Sequence, residues 1–168
     1  MNSPKIASLG HVGIYVDAIA KMVTFYRDIL GLTVTDGTPE GGAVFLSSRP
    51  AEEHHEFALI KGRRAPDDVN LINQLSFRCA TLEDVTGYYR RFVENDVRFD
   101  RIVCHGNAVG IYYFDPEGNR CEVYCSTGYQ AKQPFVYPID LSQPIEQIKD
   151  EVARIVEEYG TTGVMKLD

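Results

Sequence analysis

Apolar residues recur along this chain in two periods, and the two periods follow one another twice. Gly10-His11-Val12-Gly13-Ile14-Tyr15-Val16 alternates with the period of two that marks a half-buried strand. Directly after it, Ile19, Met22, Val23, Tyr26, Ile29 and Leu30 fall at helical spacing and make one apolar stripe. The alternation returns at Asn73-Gln74-Leu75-Ser76-Phe77-Arg78-Cys79, and a second stripe follows at Leu82, Val85, Tyr89, Phe92 and Val93. Displacing the chain by 63 residues lays His11–Ile14 over Gln74–Phe77 and Ile19, Met22, Tyr26 and Ile29 over Leu82, Val85, Tyr89 and Phe92, without a gap. Self-similarity of this kind sets the architecture before any single residue is interpreted.

Local signals agree with the repeat. Asp17 can cap the first helix through its carboxylate, Thr81 with Asp84 forms a capping-box pattern at the second, and Gly31 suits the first helix's C-terminal end. Three strand-like runs follow each helix: about 32–35, 43–47 and 56–61 in the first half, and about 97–103, 109–114 and 121–126 in the second. Gly41-Gly42 and Asp115-Pro116-Glu117-Gly118-Asn119 supply turns between them. Each half therefore reads β-α-β-β-β, joined by a linker over 62–68. The fold class is α+β, with two tandem βαβββ modules (about 8–64 and 71–127) in a domain over 1–128. Residues 129–168 form a C-terminal arm and helix. Within them 133–144 holds three prolines and reads as extended, and Ser142 and Pro144 start a helix striped by Ile145, Ile148, Val152, Ile155 and Val156. That stripe needs a cover, either the domain itself or a partner subunit, and a homo-oligomer is expected.

Composition narrows the function without selecting one. The 168 residues, 44% hydrophobic and 24% charged, match an ordinary globular chain with a core of its own. A formal charge of −7 argues against nucleic acid, whose phosphates demand many cations. No apolar run has the length of a bilayer, and the N-terminus lacks a signal-peptide layout, so no membrane partner and a cytoplasmic location are expected. The four cysteines, Cys79, Cys104, Cys121 and Cys125, make no CxxC pair. Cys121 and Cys125 share a strand face but are about 13 Å apart, too far to share one metal. They read as reduced thiols of a packed interior.

Strand parity sorts the chemistry. Val12, Ile14 and Val16 can pack on a helix, while His11, Gly13 and Tyr15 face away; Leu75, Phe77 and Cys79 likewise oppose Gln74, Ser76 and Arg78. In the last strand Cys121, Val123 and Cys125 oppose Glu122, Tyr124 and Ser126. A face carrying Tyr, His and Gln is unlike a Lys/Glu solvent surface and reads as the lining of a cavity. His11, Gln74, His55 and Glu122 stand at related places of the two halves, which suggests a mononuclear metal site. A buried carboxylate such as Glu122 needs a partner, and a metal ion is one.

These residues resemble the vicinal oxygen chelate superfamily, whose members pair βαβββ modules into an open, cup-like barrel around a metal. The resemblance covers roughly residues 8–127 and is most specific at Tyr112-Tyr113-Phe114-Asp115-Pro116-Glu117-Gly118-Asn119-Arg120-Cys121-Glu122-Val123-Tyr124. Within it the chain looks most like one-domain type I extradiol dioxygenases. His54-His55-Glu56-Phe57-Ala58-Leu59 is similar to that family's His-His-x-x-Ala-Leu segment, and Tyr112 stands ten residues before Glu122, where the family carries a catalytic Tyr. The resemblance implies His11, Gln74 and Glu122 as metal ligands and His55 and Tyr112 as catalytic residues. Fe(II) is the expected metal, with Mn, Zn or Ni as alternatives, and an aromatic diol and O₂ as the substrates. His54 is left beside the site or exposed, Tyr113 belongs to the core, and His105 either closes over the pocket or is solvated.

Gln74 departs from the family, which has a second ligand His there. A neutral amide oxygen is a weaker donor than imidazole. Two alternatives follow from the same resemblance. One is a glyoxalase-I-like isomerase with ligands His11, Glu56, Gln74 and Glu122; the other is a metal-free small-molecule-binding protein.

Overall fold

The computed structural model describes residues 8–64 and 72–166. Residues 65–68 of the expected linker lie outside them. The chain divides into two compact units, Met1–Val69 and Asn70–Asp168. Its class is α+β, with one sheet in each unit, as the repeat implies. Among the described residues no helix is long and apolar enough to cross a membrane.

In the first unit β1 (Val12–Val16) leads into α1 (Ile19–Thr24), which widens into a π turn over Phe25–Ile29. β2 (Thr33–Thr38), β3 (Ala43–Ser47) and β4 (Phe57–Lys61) follow, and the sheet order is β1-β4-β3-β2. β1 and β4 are parallel, with Val12 opposite Phe57 and Val16 opposite Lys61. Ile14 and Val16 are buried with Met22, Tyr26 and Leu59, while Gly13 and Tyr15 face outward as parity requires. Tyr26 and Phe57 pack ring to ring at 4.6 Å. The cap of α1 is Ala18, with no side-chain cap bond, one residue after the Asp17 expected there. Gly31, at φ 84°, ends the helix. Its N–H reaches the Arg27 carbonyl and that of Leu32 the Tyr26 carbonyl, each one residue wider than a Schellman closure because the preceding turn is π.

The second unit contains β5 (Leu75–Arg78), α2 (Leu82–Glu94), β6 (Phe99–Cys104), β7 (Ala108–Phe114) and β8 (Arg120–Ser126). Its sheet runs β10-β9-β6-β7-β8-β5, where β9 is Phe135–Pro138 and β10 is Val164–Met165. β9 corrects the expected extended arm: it pairs antiparallel with β6, Cys104 opposite Tyr137. Its short apolar run has strand character only because the edge of β6 is there to receive it, and Pro138 is tolerated because it ends the strand, beyond the residues that pair with β10. α3 (Ile145–Tyr159) buries Ile148, Val152 and Ile155, and its Lys149 ammonium meets Glu83 of α2 at 3.1 Å. The terminal stripe is therefore covered by the chain itself.

Beneath α2, Val85 and Phe92 are fully buried, and Phe92 packs on Tyr113 at 4.5 Å. Val93, expected in the stripe, is 52% exposed, because it lies about 100° around the helix from Phe92. The capping box at α2 is complete: the Thr81 hydroxyl accepts from the Asp84 N–H, and the Asp84 carboxylate accepts from the Thr81 N–H. Thr81→Ala is expected to cost about 1 kcal/mol, or roughly 2–4 °C in thermal midpoint, with Asp84→Ala giving a similar loss. Additive losses in the double variant would contradict a reciprocal box.

The four cysteines are unpaired thiols, three of them buried and Cys79 half-buried. Burial pushes Cys79 up from 9.0 to about 12 and Cys125 up to about 11. In the unfolded chain both thiols lose their protons near pH 9.0, while the folded chain keeps them. The unfolded state then binds fewer protons, so stability must fall as pH rises above about 9 and keep falling to about 11. Urea midpoints measured across that range under reducing conditions check this; a flat profile in which Cys125→Ala changes nothing would refute it.

Candidate functional site

Two clusters hold the residues singled out by sequence, one in each unit. In the first unit His11 directly precedes β1, and His55 lies two residues before β4 rather than within it, in the bend that ends at Glu56. The Val12 N–H donates to the Glu56 carbonyl at 3.1 Å and ties these two strand entries together. Their imidazole rings consequently meet, with centroids 4.4 Å apart, and His55 also stands edge-on to Phe45 at 4.9 Å. His54, expected beside the site or exposed, is both. The bend turns it back, so that its Nδ1 lies 3.0 Å from Nδ1 of His55. One of these nitrogens must carry hydrogen and the other a lone pair, so the contact couples the two rings' tautomers.

Glu56 is engaged elsewhere. One carboxylate oxygen accepts from the Ser48 N–H at 2.8 Å and from the Ser47 and Ser48 hydroxyls; the other accepts from Arg49 at 3.1 Å. Burial alone would raise its pKa, but the hydrogen bonds from Ser48 and Arg49 outweigh it and hold the carboxyl below its ordinary range. This group fastens the loop after β3, and both of its oxygens are engaged there rather than turned toward His11.

In the second unit the sheet brings Gln74, Ser76, Tyr112 and Glu122 together. Ser76 is opposite Glu122 across the parallel β5–β8 pair, and Tyr112 is opposite Glu122 across the antiparallel β7–β8 pair. The Glu122 carboxylate is 6% exposed. Its Oε2 accepts from the Ser76 hydroxyl at 2.6 Å and from the Gln74 amide nitrogen at 3.4 Å, and that nitrogen also donates to Ser76 at 2.9 Å. These donors are neutral, so they satisfy hydrogen bonds without compensating charge. Oε1 lies over Gly110, where a Cβ would come within 2.8 Å of it.

Tyr112 is 8% exposed. Burial, then the adjacent Glu122 carboxylate, pushes its phenol up to about 12, against the opposing pull of Arg120 and Arg101. It therefore keeps its proton. The Arg120 guanidinium covers the Tyr112 ring at 4.3 Å and is itself held by Asp100 at 2.8 Å. A bulge in β6 between Phe99 and Arg101 sets Arg101 opposite Tyr112. His105, left open by sequence, is bonded on both nitrogens: Nδ1 to the Phe135 carbonyl at 2.7 Å and Nε2 to the Tyr112 hydroxyl at 3.1 Å.

Ser76 and Gly110 escaped the sequence reading, although parity carried a signal for each. Ser76 shares its strand face with Gln74, and a glycine two residues before Tyr112 in a strand interior marks a close approach. Nothing in the sequence tied the His105 loop to Phe135. A cavity of ≈ 350 Å³, lined by Leu82, Cys125, Tyr129, Lys149 and Val152 among others, lies on the helix side of this sheet. Glu122 has the opposite parity to Cys125 and faces away from it. Among the described residues no three His, Cys, Asp or Glu side chains are placed so that together they could hold a metal ion; the expected set has only His11 and Glu122 of those types and takes members from both units.

Known proteins similar to this chain include two dioxygenases. The chain is 30% identical over 121 residues to biphenyl-2,3-diol 1,2-dioxygenase 3 of Rhodococcus globerulus, a match covering 68% of this chain and 61% of that protein. It is 33% identical over 81 residues to a manganese-dependent 2,3-dihydroxybiphenyl 1,2-dioxygenase of Geobacillus genomosp. 3, covering 48% of this chain and 24% of that protein. The chain thus spans less than two thirds of either relative. Lactoylglutathione lyase from Agrobacterium tumefaciens has a similar fold, with a TM-score of 0.58 at 19% identity over 73% of this chain and 96% of that one. Residues 8–123 match the profile of the glyoxalase/bleomycin resistance protein/dioxygenase superfamily, and with both βαβββ units inside or overlapping that span, the chain belongs to this superfamily.

Proposed function

We propose that the protein is a metal-dependent extradiol-type dioxygenase that acts on a catecholic or related phenolic aromatic with O₂. The observation that carries this reading is the Glu122–Tyr112 pair: a buried carboxylate met by neutral donors, with a protonated phenol opposite it on the next strand. Such a carboxylate lacks a compensating charge, and a divalent cation supplies one. The similarity to two dioxygenases of aromatic diols supports the same reaction class.

His11, Gln74 and Glu122 would hold the ion. Imidazole, amide and carboxylate form a nitrogen and oxygen donor set suited to Fe(II) or Mn(II), and one that Zn or Ni also accepts. Bound there, a redox-active ion would supply a Lewis acid for adjacent substrate oxygens and a route for electron density to O₂. The residues do the rest. Tyr112 forms a hydrogen bond to a substrate oxygen. His55 takes the proton of a substrate hydroxyl and returns it to an oxygen later in the reaction. Gln74 must first turn, because its amide nitrogen now faces Glu122, whereas only Oε1 can donate to a cation.

Anaerobic purification with metal analysis, then reconstitution with Fe(II) or Mn(II), tests the reading. O₂ uptake with a panel of catechols and a ring-cleavage chromophore is the expected result. Uptake of less than about a tenth of an equivalent of any divalent ion would instead support a metal-free binding protein. Metal uptake with isomerisation of a glutathione hemithioacetal, and no O₂ consumption, would support an isomerase; the engagement of Glu56 weighs against that. Gln74→His is expected to raise Fe(II) affinity about tenfold or more, because imidazole replaces the weaker amide donor. Unchanged affinity by competitive chelation would remove Gln74 from the ligand set.

A further inference from the structure

His105 lies in the turn between β6 and β7, and the C-terminal segment grips it at three points. Its Nδ1 is 2.7 Å from the carbonyl oxygen of Phe135. Its own carbonyl accepts from the Gln133 side-chain amide at 3.0 Å, and the Oε1 of that Gln accepts from the Phe135 N–H at 3.0 Å. The neighbouring Gly106, at φ +74°, lies so close to the segment that an added Cβ would be 2.3 Å from Cβ of Ala131 and 3.3 Å from the Phe135 ring. Phe135 is fully buried and fixed in β9. The family match ends at residue 123, so every member of this grip from Ala131 to Phe135 lies beyond it.

The chemistry of the contacts fixes their direction. A carbonyl oxygen only accepts, so His105 Nδ1 must carry hydrogen. In the neutral ring Nε2 then has a lone pair, and the group facing it at 3.1 Å is the Tyr112 hydroxyl, which must donate. The chain of bonds therefore runs one way, from the Tyr112 O–H to Nε2 and from Nδ1–H to the Phe135 carbonyl. The Glu122 carboxylate also lies within hydrogen-bond reach of the phenol, so two acceptors compete for its one hydrogen.

We propose that the C-terminal segment is a positioning element of the site: the Phe135 carbonyl sets the His105 tautomer, and the bare Nε2 that results competes with the Glu122 carboxylate for the Tyr112 hydroxyl hydrogen. This rests on the dioxygenase reading for its consequence, though not for its geometry. When Nε2 takes this hydrogen, the Tyr112 oxygen offers the substrate an acceptor. A catechol hydroxyl that still bears its hydrogen is the matching donor. His105 acts through Tyr112, and the segment acts through His105.

Histidine-labelled protein observed by ¹⁵N NMR, without metal or substrate, reads the tautomer directly. The His105 signals, identified by their loss in His105→Gln, are expected to show a protonated Nδ1 and a bare Nε2 in the wild type. Tyr112→Phe should keep Nδ1 protonated while shifting Nε2 further toward the position of a free lone pair. Gln133→Ala, which loosens the grip without touching the ring, should bring in the Nε2–H tautomer. It should also lower kcat more than it changes KM, at an unchanged thermal midpoint. A wild-type ring protonated at Nε2, or a Gln133→Ala spectrum identical to wild type, would overturn the proposal. If no O₂ uptake is found with any catechol while the Nδ1–H tautomer and its response to Gln133→Ala are seen, the positioning stands and the dioxygenase reading falls.

Discussion

Glu122→Gln is expected to abolish metal uptake while leaving the metal-free protein at least as stable as wild type. The two halves of this result follow from one geometry. Glu122 is 6% exposed, and the donors that reach it, the Ser76 hydroxyl and the Gln74 amide, are neutral. Burying a carboxylate on such terms costs stability, which an amide of the same shape regains in part while still accepting from Ser76. The metal-free variant should therefore melt no lower, and the gain should be within about 1–3 kcal/mol. Metal affinity responds oppositely, because the substitution removes the anionic donor. Changing a residue that merely supports a ligand costs about 10–100-fold in affinity, so loss of the ligand charge should exceed about 100-fold. Melting with and without Mn(II) separates the two effects. At a hundredfold excess over Kd, wild type should gain about 2.7 kcal/mol and the variant nothing. A metal-free variant destabilised by several kcal/mol would make Glu122 a structural residue, and an undiminished metal shift would remove it from the ligand set.

Which parts of this arrangement were legible in the sequence depended on periodicity. The two modules, the parity of β1, β5 and β8, and the capping box at Thr81 all follow from patterns that repeat over several residues, and these agree with the structure. Features created by a single inserted or misaligned residue were not legible. The π turn at Phe25–Ile29 leaves the apolar stripe of the first helix intact while widening its closure at Gly31. The bulge at Arg101 changes which side chain faces Tyr112 without altering the composition of β6. The alternation of β4 can be extended back through His55, yet the bend at 54–56 folds both histidines toward one another. β9 was missed for a different reason. Phe135-Val136-Tyr137 are strand-favouring residues, but three of them between prolines are too few to mark a strand, and the pairing with β6 is a long-range fact that no local window contains. The tautomer of His105 depends on that same pairing, which is why its position alone left its role open.

Gly110→Ala is expected to leave the fold nearly unchanged and to cut metal affinity and turnover by about 10–100-fold. Gly110 sits in the middle of β7, opposite Tyr124 of β8, and its backbone does not require the left-handed conformation that would strain an alanine. What an added methyl meets is the site. Its Cβ would stand 2.8 Å from Glu122 Oε1, 3.5 Å from the Glu122 Cδ and 3.2 Å from Cβ of Tyr124. The Tyr124 contact asks the sheet to give by a few tenths of an ångström. The Oε1 contact is shorter than a real Cβ tolerates, and the carboxylate, the free end of a side chain, is the group that moves. Stability should accordingly change by no more than about 1 kcal/mol. The carboxylate, however, must leave the position fixed by Ser76, and catalytic groups lose most of their advantage when displaced by about 1 Å. Gly106→Ala is the control of opposite sign. Its Cβ would collide with Ala131 at 2.3 Å on a backbone at φ +74°, so it should lower the thermal midpoint clearly. Calorimetry on both variants, with Mn(II) affinity measured by competition, decides the matter. If Gly110→Ala binds metal as wild type does, the carboxylate is not held against Gly110 for coordination. The missing side chain would then serve only the close packing of β7 on β8.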